Sequence, residues 1–142
     1  MYNFAHSLGS GDNAQVLMLE DSNLAISVIS DELYPIGTVV KLVGDKSVEA
    51  VSGIADAPFG IVVTSQEKNG VNEVTVQTPF QAIVKGVAAG ILTAGGKVAA
   101  NNYNSANKVM VYAPAGGNTA VGIVLQDAAD TEEVLVGILK SF

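Results

Sequence analysis

The sequence predicts an all-β protein that folds as a compact β-barrel or sandwich. Short runs rich in valine, isoleucine and threonine recur about every 8–12 residues, which is typical of these folds. Fifteen glycines supply turn positions between the runs. Leucine, glutamate and lysine at helical spacing, the pattern of a helical protein, are missing. The 142 residues suffice for one ordinary domain with its own core.

The first 13 residues are predicted to form a flexible, extended N-terminal arm. They are mostly polar, contain Gly9 and Gly11, and carry two isolated aromatic residues, Tyr2 and Phe4. A terminal segment of this kind has few apolar residues with which to dock on a core. We expect residues 14–142 to form a single β domain.

Eleven strands are predicted after the arm. The polar residues 20–23 between the first two apolar runs are good turn formers, so a hairpin is expected there. Pro79 is expected to end a strand, because proline cannot donate a hydrogen bond to the sheet. The predicted strands cover residues 16–19, 24–29, 38–43, 48–51, 59–65, 73–78, 81–88, 97–99, 108–113, 120–126 and 134–139.

One hairpin carries a strong turn signal. Asn69-Gly70 is a typical two-residue turn, because both positions tolerate a positive φ. The turn follows residues 59–65, a nearly continuous apolar run that is typical of a strand buried on both faces. It precedes a strand in which Val74 and Val76 alternate with polar residues.

The second half of the domain resembles the first. The separations of three recurring pieces are 59 (96 − 37), 62 (122 − 60) and 60 (133 − 73) residues, and they differ only by loop lengths. We predict two similar strand meanders, about residues 34–78 and 93–139, that share one core, since each alone has too small an apolar surface. The alternative is a chance similarity between valine-rich strands. The matching pieces are Gly37-Thr38-Val39 with Gly96-Lys97-Val98, Gly60-Ile61-Val62-Val63 with Gly122-Ile123-Val124-Leu125, and Glu73-Val74-Thr75-Val76 with Glu133-Val134-Leu135-Val136.

The charge pattern argues against nucleic-acid and membrane partners. The net charge is −7, and the seven basic residues are all scattered lysines. Nucleic-acid binding relies on clustered positive charge, and arginine makes most of its bidentate contacts. The longest uncharged apolar-rich run, near residues 86–96, is far shorter than the roughly 20 residues needed to span a bilayer.

No set of residues points to catalysis, to a metal or to a cofactor. The single histidine, His6, lies in the arm rather than on the rigid scaffold that a Ser-His-Asp site needs. Residues 9–14 match the dinucleotide pattern G-x-G-x-x-A but have no strand before them and no helix after them. The acidic group at residues 127–133 lacks the spacing of an EF-hand, so a solvated turn is favoured over a weak calcium loop. We therefore expect a protein that is not an enzyme.

Four glycine- and valine-rich pieces of the chain resemble a family of phage capsid cement, or decoration, proteins, which was long catalogued only as a domain of unknown function. The resemblance covers about residues 34–139, while residues 1–33 lie outside it. The pieces are residues 36–40 (IGTVV), residues 57–62 (APFGIV, similar to the family's Pro-apolar-Gly-Val step), residues 89–98 (similar to its central Gly-Ala-Gly-Lys-Val segment), and residues 120–125 (AVGIVL) with the following 133–136 (EVLV).

The resemblance implies a subunit of the virion that binds the outer surface of the expanded head. Its partner would be the major capsid protein, and it would often be a homo-trimer. The competing interpretation is a β-structured phage tail, baseplate or adaptor module, which would bind a tail or host surface instead.

The arm is the predicted capsid contact. Its aromatic residues are suited to anchor in pockets, and an extended segment can add a strand to an exposed sheet edge. The alternative is an ordinary frayed terminus without a role. The predicted contact residues are Met1, Tyr2, Asn3, Phe4 and His6.

Overall fold

The computed structural model describes residues 25–77, 82–139 and Phe142, and the described residues form ten β-strands and no helix. The all-β prediction is therefore confirmed. The strands are β1 (Ala25–Ser30), β2 (Val39–Gly44), β3 (Ser47–Ala50), β4 (Gly60–Lys68), β5 (Val71–Gln77), β6 (Ile83–Ala88), β7 (Lys97–Asn104), β8 (Val109–Pro114), β9 (Gly122–Val124) and β10 (Glu133–Ile138).

The strands close into two barrels of five strands each. The first has the order β1-β3-β2-β4-β5 and closes where β5 pairs with β1. The second has the order β10-β6-β8-β7-β9 and closes where β9 pairs with β10. Each barrel contains one parallel pair, β1 with β3 and β6 with β8. The two barrels therefore have the same topology, with β1–β5 corresponding in order to β6–β10.

The strand register matches between the barrels at the level of single residues. Val40 pairs with Gly60 in the first barrel, and Val98 pairs with Gly122 in the second. The two valines lie 58 positions apart (98 − 40) and the two glycines 62 (122 − 60), as the sequence comparison predicted for the glycines. The recurring glycines and valines of the sequence thus occupy equivalent positions in two barrels of the same topology.

One piece of the predicted alignment is wrong by a single residue. Gly37 corresponds to Gly95 rather than to Gly96. The amide N–H of Gly37 donates to the carbonyl of Val62 and that of Gly95 to the carbonyl of Val124, both at 2.8 Å. The φ angles of these glycines are 95° and 88°, in the left-handed region that favours glycine. Two adjacent glycines match the motif equally well, and only the backbone conformation distinguishes them.

Two valine-rich clusters form the core. The first fills the first barrel and includes Val40 and Val62. The second fills the second barrel, but it also takes in Val39 and Ile61 from the first. Because successive side chains of a strand point to opposite faces, β2 and β4 supply both clusters. The prediction of a strand buried on both faces is confirmed for the start of β4.

Several predicted strand boundaries are corrected. From Thr64 onward β4 is exposed, and from Glu67 it pairs with residues of β5 that lie beyond those paired with β1. The turn at Asn69-Gly70 is confirmed, with φ angles of 55° and 80°. Residues 101–104 belong to β7 rather than to a loop, and a bulge between Ala100 and Asn102 keeps the longer strand in register with β8. The predicted strand at residues 16–19 and Pro79 lie outside the described residues.

Two tyrosines join the barrels. Tyr34, in the core of the first barrel, meets Tyr103 of β7 edge to face, with ring centroids 5.1 Å apart and an interplanar angle of 89°. This is a favourable arrangement for aromatic rings. Next to it, the Ser105 hydroxyl lies 3.5 Å from a carboxylate oxygen of Glu32. Together with the shared core, these contacts link the two barrels.

Candidate interaction surface

The predicted contact residues Met1, Tyr2, Asn3, Phe4 and His6 lie outside the described residues, so their role stays a prediction. The first described residue of the chain lies at the start of β1. Ala25, the first residue of β1, pairs with Gln77, the last residue of β5. Ala82 follows Gln77 by five residues (82 − 77), a stretch that spans at most about 17 Å. Ala25 therefore lies beside a residue that only a short stretch of chain separates from the start of the second barrel.

A groove with an apolar lining crosses the outer face of β6, β10 and β9 in this region. It has a volume of about 490 Å³. Ile83 and Leu125 on its walls are 69% and 47% exposed, which is high for large aliphatic side chains. The residues that line this apolar groove are Ala82, Ile83, Ile123, Leu125, Gly137, Ile138 and Leu139.

Gly137 forms part of the floor of the apolar groove. It pairs with Ile83 on one side and with Ile123 on the other, so the missing side chain leaves a gap between two isoleucines. A Cβ atom at this position would come no closer than 3.5 Å to Leu125, which is ordinary van der Waals contact. Packing within the chain therefore does not require glycine here, and the gap is open to a partner.

A second cleft, of about 280 Å³, lies beside the apolar groove and shares Ile83 with it. It is lined by residues 35–38 of the first barrel, by residues 83–85, and by residues 108–110. Lys85 and Lys108 line it, and Ile36 at its edge is 76% exposed. Among the described residues, no carboxylate lines the groove or the cleft, although acidic residues outnumber basic ones 14 to 7 in the chain.

The acidic group of the second barrel holds loops together. Asp130 accepts a hydrogen bond from the amide N–H of Gly90 at 2.7 Å, and Asp127 accepts one from Ala94 at 2.8 Å. Glu132 accepts another from the amide of a neighbouring residue within its own turn. These carboxylates face backbone donors, and no cluster of potential metal ligands occurs within the part of the chain that the structure describes. The group's geometry is that of loop caps.

A comparable cap stabilises a loop of the first barrel. Asp56 accepts hydrogen bonds from the amides of Ser52 and Gly53 at 2.7 and 3.2 Å, and from the Lys41 ammonium at 2.9 Å. The bond from the Ser52 amide, followed by the bond from Lys41, lowers the pKa of Asp56 to about 2. The same contact with Asp56 raises the pKa of Lys41. This network fixes residues 52–56 and leaves no unpaired charge for chemistry.

Two buried tyrosines differ in how their hydroxyl groups are satisfied. The Tyr34 hydroxyl donates to Asp31 and accepts from the Ala50 amide at 3.0 Å. Burial, followed by the hydrogen bond to Asp31, raises the pKa of Tyr34. Tyr112 is fully buried in the second barrel, its hydroxyl has no partner among the described residues, and burial alone raises its pKa. Neither tyrosine lines the apolar groove or the cleft beside it.

Sequence reasoning missed the apolar groove, although a signal was present. Residues 134–139 are as continuously apolar as residues 59–65, which were predicted to be buried on both faces. In β10, however, the outward residues face solvent, and Gly137 interrupts them. An apolar strand with a glycine on its outer face is the pattern that could have indicated a surface groove.

The chain is similar in fold to a solved structure but matches no family model. No protein-family model matches the chain, and neither does any curated protein. The fold is similar to a solved structure described as the N base of head fiber gp8.5 in bacteriophage phi29, with a TM-score of 0.51. The match covers 84% of this chain and 96% of that one at 13% sequence identity. At this identity the likeness is one of fold. Among the described residues, no helix is long and apolar enough to cross a membrane.

Proposed function

We propose that this chain is a phage head decoration protein that binds the outer surface of the expanded capsid and stabilises it. One observation carries the proposal: the fold matches nearly the whole base of a protein described as a phage head fiber. The sequence resemblance to decoration proteins points to the same location, while no family model matches the chain. Both favour the head over the tail, baseplate or adaptor interpretation.

The properties of the fold suit a capsid clamp. The doubled barrel, with a core shared between its halves, is a rigid body. A subunit that binds only the expanded lattice shifts the equilibrium toward that lattice by mass action. If the subunit acts as a homo-trimer, a modest interaction per copy is multiplied at each site. The proposal requires no cofactor, metal or catalytic step.

The N-terminal arm is the first proposed contact with the major capsid protein. Tyr2 and Phe4 would anchor in apolar pockets, while Met1, Asn3 and His6 would contribute to an added strand. Ala25, the first described residue, pairs with Gln77, which precedes Ala82 of the apolar groove by five residues, and this is what supports a contact near the groove.

Co-sedimentation with capsid shells of the source phage tests the proposal. Full-length protein is mixed with unexpanded and with expanded shells, and the bound fraction is measured over a concentration series. We expect saturable binding to expanded shells alone, with the plateau giving the number of copies per site. Absence of binding to both forms would refute the decoration function and favour a tail or adaptor module.

A further inference from the structure

The apolar groove and the cleft beside it share one exposed residue, Ile83, and form a continuous surface. Ile83 stands between the two depressions and is 69% exposed, while Ile36 across the cleft is 76% exposed. Exposure of large aliphatic side chains to water is unfavourable relative to their burial. Within the described residues nothing covers them, so a partner that does so gains this free energy.

The charge of this surface differs from that of the whole chain. Its charged lining residues, Lys85 and Lys108, are both basic, whereas the chain has a net charge of −7. The cleft therefore presents two ammonium groups beside the exposed aliphatic side chains of this surface. Such a surface fits an apolar partner segment that carries one or more carboxylates, because opposite charges steer association and fix register.

The surface lies within reach of the chain that precedes Ala25. Ala25 leaves the fold beside Gln77, at most about 17 Å of chain from Ala82 in the groove. The 24 residues that precede Ala25 can therefore reach the same partner that occupies the groove. Two contacts on one partner act with a high effective concentration, so neither has to be strong alone.

We propose that the apolar groove is a second capsid-binding site, and that it takes an extended apolar segment with carboxylate side chains from the capsid surface. The inference rests on the proposed function, since it assigns the partner of this surface. The capsid segment lies along β10, with apolar side chains between Ile83 and Ile123 over Gly137. Its carboxylates face Lys85 and Lys108.

Two variants remove the groove in opposite ways. Gly137→Val fills the floor, where an added Cβ lies at ordinary contact distance from Leu125. Ile83→Ser removes the exposed wall that both depressions share. Leu42→Ser is the matched control, because Leu42 is also a half-exposed aliphatic residue of a strand but lies in the first barrel outside the groove.

The test measures the affinity of each full-length variant for expanded capsid shells, with circular dichroism to verify the fold. We expect both groove variants to weaken binding at least ~10-fold, and Leu42→Ser to change it less than about twofold. Lys85→Glu with Lys108→Glu should also weaken binding, and the residual binding should depend less on salt than that of the wild type.

Three outcomes would overturn the inference. Wild-type binding with unchanged affinity of both groove variants would refute the groove site and leave the decoration function standing. A wild type that binds no shells would refute both. Groove variants that change the oligomeric state of the free protein in sedimentation, while each bound subunit keeps its affinity, would assign the groove to a second copy of this chain.

Discussion

Two glycines at equivalent positions of the barrels are expected to be essential for strand packing. Gly60 begins β4 and Gly122 begins β9. A Cβ atom on Gly60 would lie 2.5 Å from the carbonyl oxygen of Gln77 and 2.7 Å from Cγ1 of Val76. A Cβ atom on Gly122 would collide in the same way with Cγ1 of Val136. The recurring Gly-Ile-Val motif thus has a steric cause in both barrels.

The expected loss in the free energy of unfolding follows from these distances. Ordinary carbon contacts begin near 3.5 Å, so Gly60→Ala requires a displacement of about 1 Å between paired strands. Overpacking of a well-ordered core typically costs about 1–3 kcal/mol. We therefore expect Gly60→Ala and Gly122→Ala each to lower the free energy of unfolding by about 2 kcal/mol.

Gly53→Ala provides the matched control. Gly53 has no atom within 4 Å of an added Cβ and does not have a positive φ. Alanine there should be neutral or stabilise by up to about 1 kcal/mol, because it restricts the unfolded chain. Urea unfolding of the three variants and the wild type, followed by circular dichroism, measures the difference. If Gly60→Ala and Gly53→Ala were equally stable, the steric explanation of the motif would be refuted.

Three further predictions concern the buried tyrosines and the loop cap. Tyr112→Phe should stabilise the protein by up to about 1 kcal/mol in urea unfolding, because the mutation removes a buried hydroxyl without a partner among the described residues; a loss of stability would show that the hydroxyl is satisfied. Tyr34→Phe should instead destabilise by about 1–3 kcal/mol, since the Ala50 amide loses its acceptor; equal effects of the two tyrosine mutations would contradict this reasoning. Asp56→Ala should cost about 1 kcal/mol at pH 7. Because the folded pKa of Asp56 is lowered from 3.8 to about 2, this stabilisation is complete above about pH 4 and is lost as the pH falls through 2; a difference between wild type and variant that persists unchanged at pH 2 would exclude this origin.

The candidate site was only partly accessible to sequence reasoning. The arm residues were chosen from their composition, and they lie outside the described residues. The apolar groove was not predicted, because its walls come from segments around residues 82, 123 and 137. These segments become neighbours only when β6, β10 and β9 pair, so the glycine in the apolar run 134–139 could indicate a groove but not the residues that form its other walls.

The sequence by itself determined the fold class and most of the strands. Valine-rich runs and the Asn69-Gly70 turn specify them locally, because β-propensity and a positive φ act within a few residues. The repeat, too, was visible, since a glycine without room for a Cβ must recur wherever the same strand packing recurs. Gly60 and Gly122 therefore carry the repeat in the sequence as well as in the structure.

Only the tertiary structure decided how the two repeats close into barrels and how they divide the core. The sequence left barrel and sandwich open, and pairing over long distances, such as β1 with both β3 and β5, closed each half into its own barrel. The tertiary structure also divided two adjacent valines between two core clusters: Val40 lies inside the first barrel, and Val39 packs against the second. The physical reason is that burial depends on which elements meet in space, and neighbouring residues of one strand always face opposite ways.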